Sequence, residues 1–217
     1  MIDRLGDSVS FYKIGLQLFL AADGSYFELA DRLHEMGKQT MVDLKFLDVP
    51  QTVAAAVHQL RNIHASFATV HAQHEEMLAA AVSRKSGVRI LAVTVLTSQT
   101  DDDLKTHGYS EDVTVERLVL DRTRRALAAG CDGVVSSGRE AATIREEHGA
   151  GAIIVTPGIR PAGAQGSDDQ KRTMDVEEAF AAGADYIVVG RPIQHATDPR
   201  AAADDIQGRI RRLFEGA

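Results

Sequence analysis

Seven short runs rich in apolar and β-branched residues alternate with longer stretches of helical periodicity, and this alternation leaves the chain few architectures. The runs fall near 10–15 (SFYKIG), 39–45 (QTMVDLK), 67–71 (FATVH), 88–96 (VRILAVTVL), 132–136 (DGVVS), 152–156 (AIIVT) and 186–190 (YIVVG). The stretches between them predict helices near 25–37, 52–64, 74–84, 113–129, 138–147, 175–182 and 200–214. Strand and helix in regular succession mean an α/β protein whose parallel strands are joined by crossover helices, since a tight turn cannot join parallel neighbours. Two segments echo one another. AAGCDGVVSSG (128–138) and AAGADYIVVGR (181–191) each carry a helix end, a glycine, an acidic residue and a strand. The glycine ends the helix in the left-handed conformation. Repeated units with one joint favour a barrel over an open doubly wound sheet. A closed barrel needs eight strands and seven are visible, with a helix expected over Ile2–Ser8. The expectation is therefore a (β/α)8 TIM barrel, N-terminally truncated to about seven βα units, as a single domain over 1–217.

Composition excludes other classes. With 217 residues, 44% hydrophobic and 25% charged, the chain can bury a core without a disulfide or metal staple. Cys131 is the sole cysteine, so no intrachain disulfide forms, and a reducing compartment, the cytoplasm, is expected. A net charge of −7 argues against nucleic acid as a partner. No apolar run approaches the ~20 residues of a membrane span, and the opening MIDRLG lacks signal-peptide character.

The segment MVDLKFLDVPQT (41–52) is the most informative. Side chains alternate along a strand, so Val42 and Leu44 turn one way and Asp43 and Lys45 the other, into the barrel. Burying two charges is costly unless they are paired. One strand earlier, Lys13 shares a face with Phe11 and Gly15, and neighbouring strands lie about 4.8 Å apart. The expected array is Lys13, Asp43, Lys45 and Asp48, alternating in sign. Read structurally it is an ion-pair network closing the barrel top. Read functionally it is a lysine fixed by carboxylates as a proton donor, not as a Schiff-base amine.

Two later strand ends suit an anion. Val189-Gly190-Arg191-Pro192 combines a residue that permits close backbone approach with a forked donor. Barrels commonly place a phosphate after the last two strands. Thr156-Pro157-Gly158-Ile159-Arg160 opens a long Gly- and Pro-rich loop over 157–172, and Gln170 at its far end is placed to fold over the same phosphate.

These residues resemble the orotidine 5′-phosphate decarboxylase family. KIGLQLF (13–19), DLKFLDVPQT (43–52), TVLTS (94–98), TPGIRP (156–161), DQKR (169–172) and GADYIVVGRPI (183–193) are similar to its signatures, in its order, across essentially the whole chain. The resemblance implies a (β/α)8 barrel that converts orotidine 5′-phosphate to uridine 5′-phosphate in pyrimidine biosynthesis, with no metal and no organic cofactor. It implies Lys45 as proton donor to C6, Asp43 as the carboxylate beside the leaving CO2, and Lys13 as the lysine that bonds ribose and orders Asp43. Asp48 resembles an aspartate contributed across a homodimer interface, with Thr52 nearby. Thr97 matches the residue near the pyrimidine ring, Gln170, Gly190 and Arg191 match phosphate ligands, and Arg160 matches a further ligand contact. The family also begins with a strand carrying a ribose-binding aspartate, and no such strand precedes Ile2; Asp3 is not expected to take that role. After Val70-His71-Ala72 the family carries a glycine-containing turn where Gln73-His74-Glu75-Glu76 stands here. Two alternatives remain: a related Mg2+-dependent phosphosugar barrel enzyme of the hexulose-phosphate synthase or keto-gulonate-phosphate decarboxylase type, and an inactive truncated barrel.

Other polar residues read as structural. His71 ends a strand and is expected to be hydrogen-bonded scaffolding. His34 belongs to a helix surface, and the remaining histidines lack metal-ligand spacing. Cys131 is expected in the core, and Asp101-Asp102-Asp103 at a solvated helix start.

Overall fold

The computed structural model describes residues 1–21, 24–161 and 172–215. All seven expected strands form: β1 (Phe11–Gly15), β2 (Gln39–Phe46), β3 (Phe67–His71), β4 (Arg89–Val93), β5 (Gly133–Val135), β6 (Ile153–Thr156) and β7 (Tyr186–Ile187). The observed pairings β1–β2, β2–β3, β3–β4, β4–β5 and β6–β7 are parallel, each between sequence neighbours. The chain divides into two compact units. One comprises Ser10–Thr94 and Asp121–Val135 and carries β1 to β5; the other comprises Met1–Val9, Val95–Leu120 and Ser136–Ala217 and carries β6 and β7.

In the first unit the helices Ser25–Glu35, Pro50–Gln59 and Glu75–Arg84 separate successive strands. Leu33, Val53, Val57, Met77 and Leu78 bury their apolar faces. In β3, Phe67, Ala68, Thr69 and Val70 are all buried, as a parallel strand covered on both faces must be. In the second unit Ile159, Val176, Ala179, Ala184 and Ile206 form the core, joined by Phe180 and Ile210. The helix at Ile2–Leu5 continues as a 3-10 turn over Gly6–Ser8, as the opening residues predict.

The echoed segments are one device used twice. Gly130 (φ +90°) and Gly183 (φ +97°) both adopt the left-handed conformation, and a Cβ on Gly183 would lie 2.9 Å from Arg145 Cβ. Two residues on, Asp132 Oδ2 accepts the Ile90 N–H at 2.8 Å and pairs with Lys85. Asp185 Oδ2 accepts the Ile154 N–H at 2.8 Å and pairs with Arg145. Each aspartate thus ties its own strand to the start of another in the same unit.

Two strands are shorter than the sequence suggests. β4 stops at Val93 because the Thr94 carbonyl is taken by the Arg122 guanidinium at 2.6 Å. β7 stops at Ile187, four residues before the one-turn helix Arg191–Gln194. That turn and the one at Leu16–Phe19 are too short for periodicity to reveal. The acidic run does start a helix, Asp101–Thr106, with Thr100 and Asp103 capping each other.

Candidate active site

The charged residues of β1 and β2 converge on one carboxylate. Register places Gly15 opposite Asp43 and Lys13 opposite Met41. Lys13 Nζ lies 3.0 Å from Asp43 Oδ2, and Lys45 Nζ lies 2.9 Å from the same oxygen. The lysine side chains are each 35% exposed and the aspartate only 10%. A ligand can therefore reach the ammonium groups while their anion stays sheltered.

Simple pleat alternation does not produce this arrangement. Val42 pairs with Ala68 and Phe46 with Val70, so β2 advances four residues while β3 advances two. The excess is a bulge, and it places Lys45 at φ +51°. A residue with a Cβ costs about 1–2 kcal/mol there. The Lys45 backbone N–H donates to Thr69 Oγ1 at 3.0 Å, and the Thr69 hydroxyl donates to Asp43 Oδ1 at 3.0 Å. Thr69 on β3 thus holds the strained backbone and the carboxylate together. Bulges commonly re-aim a side chain beside a functional site, and backbone strain clusters at such sites.

Burial opposes ionisation of Asp43, but the ammonium groups of Lys13 and Lys45 outweigh it and hold its carboxyl below the ordinary aspartate value. His71, at the end of β3, is pushed down by burial, then by Lys45 and Arg122, with Asp43 acting the other way. That environment disfavours the charged imidazole. Tyr26 is buried, and burial followed by the Asp43 charge pushes its hydroxyl up to about 12.

Asp48 is not brought to the lysines. It is exposed, and its Oδ1 accepts the Val49 N–H at 2.6 Å ahead of the helix Pro50–Gln59. Thr52 is exposed on the first turn of that helix. In the second unit Thr97 is buried in the segment that follows β4. Gly158 (φ +80°) turns the chain after β6. Arg160 is then fixed by its N–H to the Met174 carbonyl (2.9 Å) and its guanidinium to the Ile159 carbonyl (2.8 Å). Gly190 precedes the turn Arg191–Gln194, Arg191 is exposed, and a Cβ on Gly190 would meet nothing within 4 Å. Gln170 lies outside the described residues.

Sequence reasoning missed Thr69 and Tyr26. Thr69 carried one signal: a hydroxyl inside the apolar run FATVH, on the strand expected beside the charged one. Cys131 is buried, and burial, with Asp132 adding and Lys85 opposing, pushes its thiol up to about 12. Alkylation by iodoacetamide at pH 8 is expected to be absent in the native chain and complete in denaturant. Fast native labelling would show the thiol to be accessible. Among the described residues no three His, Cys, Asp or Glu side chains gather as metal ligands, and no helix is long and apolar enough to cross a membrane.

Known proteins share both the sequence and the fold. The family model described as "Orotidine 5′-phosphate decarboxylase / HUMPS family" matches residues 1–206. An orotidine 5′-phosphate decarboxylase of Methylococcus capsulatus is 51% identical over 214 residues, covering 99% of this chain and 86% of that protein. One from Stenotrophomonas maltophilia is 52% identical over 210 residues, covering 96% of this chain and 85% of that protein. The crystal structure of orotidine 5′-phosphate decarboxylase from Lactobacillus acidophilus superposes with a TM-score of 0.79 at 32% identity, covering 95% of this chain and 90% of that one. The α/β fold read from the strand–helix alternation is the TIM-barrel fold of these proteins. With half its residues in common with such relatives over nearly its whole length, the chain belongs to the orotidine 5′-phosphate decarboxylase / HUMPS family.

Proposed function

We propose that this chain decarboxylates orotidine 5′-phosphate to uridine 5′-phosphate, with Lys45 as the proton donor. The observation that carries the reading is the single sheltered carboxylate of Asp43 gripped by two accessible ammonium groups. When the C6–carboxylate bond breaks, CO2 departs and the electron pair stays on C6. A fixed ammonium beside that carbon stabilises the developing charge and then gives C6 its proton. Water reprotonates the resulting amine. Lys13 holds Asp43 in place, and Asp43, beside the substrate carboxylate, disfavours that charge before CO2 leaves. The names of the relatives support the same substrate.

Thr97 is assigned to the pyrimidine, and Gly190, Arg191, Arg160 and Gln170 to the phosphate. The open space over Gly190 leaves room for a ligand oxygen to approach the backbone. Replacing Arg191 with alanine is expected to weaken uridine 5′-phosphate binding about 10- to 100-fold, the scale of one charge-assisted hydrogen bond, in a calorimetric titration. Unchanged affinity would remove Arg191 from the site.

Asp48, with Thr52 beside it, is assigned to the active site of a second copy in a homodimer. Leu47 (54% exposed) and Val49 (62% exposed) flank it, and large apolar side chains bracketing a carboxylate suit burial against another subunit. Sedimentation is expected to show a dimer, and a fully active monomer contradicts the assignment. Because the family description joins two groups of enzymes, a Mg2+-dependent phosphosugar activity is the second reading. Turnover of orotidine 5′-phosphate that survives a chelator favours the first, and turnover of a phosphosugar that is lost with the metal favours the second.

A further inference from the structure

A buried ion pair in the second unit serves neither the lysine array nor the assigned phosphate contacts. Arg172 Nη1 donates to Glu140 Oε1 at 2.7 Å, and both side chains are 6% exposed. The other arm of the guanidinium, Nη2, donates to the carbonyls of Val95 (3.1 Å) and Leu96 (3.2 Å). Those carbonyls immediately precede Thr97. Leu96 O also accepts the Gln99 N–H at 2.9 Å, so Arg172 grips the turn that contains Thr97.

Arg172 is itself well anchored. Two residues on, Met174 packs against Gly138, where an added Cβ would lie 2.4 Å from its sulfur. Met174 also exchanges backbone hydrogen bonds with Gly158 (3.3 Å) and Arg160 (2.9 Å). Glu140 sits in the first turn of the helix Gly138–His148. The segment 172–174 is thus a strut between that helix, the start of the loop carrying Arg160, and the turn carrying Thr97.

Stability alone is a poor reason for such a pair. Glu140 Oε2 and Arg172 Nε have no hydrogen-bond partner among the described residues. A buried ion pair with unfilled hydrogen-bonding capacity is commonly matched or bettered by apolar side chains of similar size. What apolar side chains cannot do is hold two successive carbonyls and a carboxylate at once, and lysine, with its point charge, lacks the guanidinium fork that does so here.

We propose that Arg172, oriented by Glu140, is a positioning residue that fixes the 95–99 turn and so presents Thr97 to the base of the nucleotide. The proposal rests on the decarboxylase reading for the identity of that base, and the test separates the two. The variants are Arg172→Lys and the pair Arg172→Met/Glu140→Leu, which removes both charges and leaves no orphaned ion. Hydrogen exchange on the free chain reads the Gln99 amide: exchange at least about tenfold faster in both variants, with β2 unchanged, is expected from a loosened turn. Protection equal to that of the unsubstituted chain overturns the proposal whatever the activity. In turnover, kcat/KM for orotidine 5′-phosphate is expected to fall about tenfold or more in the double variant, but less than about threefold when the same changes are made in Thr97→Val. Residues acting through one another are non-additive. Equal losses in both backgrounds, or no loss in either, overturn it. If the unsubstituted chain has no turnover, the decarboxylase reading fails and the exchange result alone decides whether Arg172 positions the turn.

Discussion

Replacing Lys45 with alanine is expected to lower kcat/KM for orotidine 5′-phosphate by about 10^4-fold or more while uridine 5′-phosphate binding changes only a few-fold. Two effects vanish together. A positioned general acid contributes about 10^2- to 10^4-fold. A preorganised charge aimed at a developing anion contributes a further ~10^2- to 10^3-fold. The scaffold should survive, because the bond that secures the bulge is made by the Lys45 backbone N–H to Thr69, and alanine retains that N–H. Asp43 keeps Lys13 as a partner at 3.0 Å. A continuous absorbance assay gives turnover and calorimetry gives binding. Near-normal turnover would falsify the role given to Lys45, while loss of binding together with turnover would point to a collapsed site.

The fold was legible because its signal is repeated. Seven β-branched runs and the doubled AAG-x-D joint each state the βα unit, and the structure adds only what the joint does with its aspartate. The lysine array was legible in its members but not in its geometry. Charged residues at 13, 43 and 45 announce a paired cluster, yet pleat alternation alone gives no reason for β2 to bulge or for Lys45 to take φ +51°. That conformation depends on Thr69, a non-local partner 24 positions away, and tertiary contacts of this kind leave no local pattern. Asp48 is a different case. Its spacing from Lys45 suggested a place in the array, and within the single chain its carboxylate instead meets the Val49 amide ahead of the helix start at Pro50. Arg172 and Glu140 were out of reach for the same reason as Thr69: they lie 32 residues apart, on segments that only the fold brings together.

Replacing Asp43 with asparagine tests the other half of the array, through activity and through acid stability. Asparagine keeps the shape and can still accept the Thr69 hydroxyl, but it leaves the Lys13 and Lys45 ammonium groups facing each other without the anion they share. Mutual repulsion and the loss of a fixed anchor should displace Lys45 from C6, with kcat falling about 10^2- to 10^4-fold, the range of a misplaced general acid. The stability cost is about 1–3 kcal/mol, less than the ~3–5 kcal/mol of a fully buried pair because both lysines keep solvent contact. Its pH dependence has a definite sign. The carboxyl is held below its ordinary value in the folded chain, so the folded state binds fewer protons than the unfolded one across the acid range. The contribution of Asp43 is therefore complete above the unfolded value, about pH 4, and drains away as pH falls through the lower folded value. Urea unfolding from about pH 3 to pH 7 should show a constant gap between parent and Asp43→Asn at pH 5 and above, narrowing below about pH 4. A gap that widens on acidification would mean that the folded carboxyl takes up its proton more readily than the unfolded one, and the two lysines could then no longer be what holds it ionised.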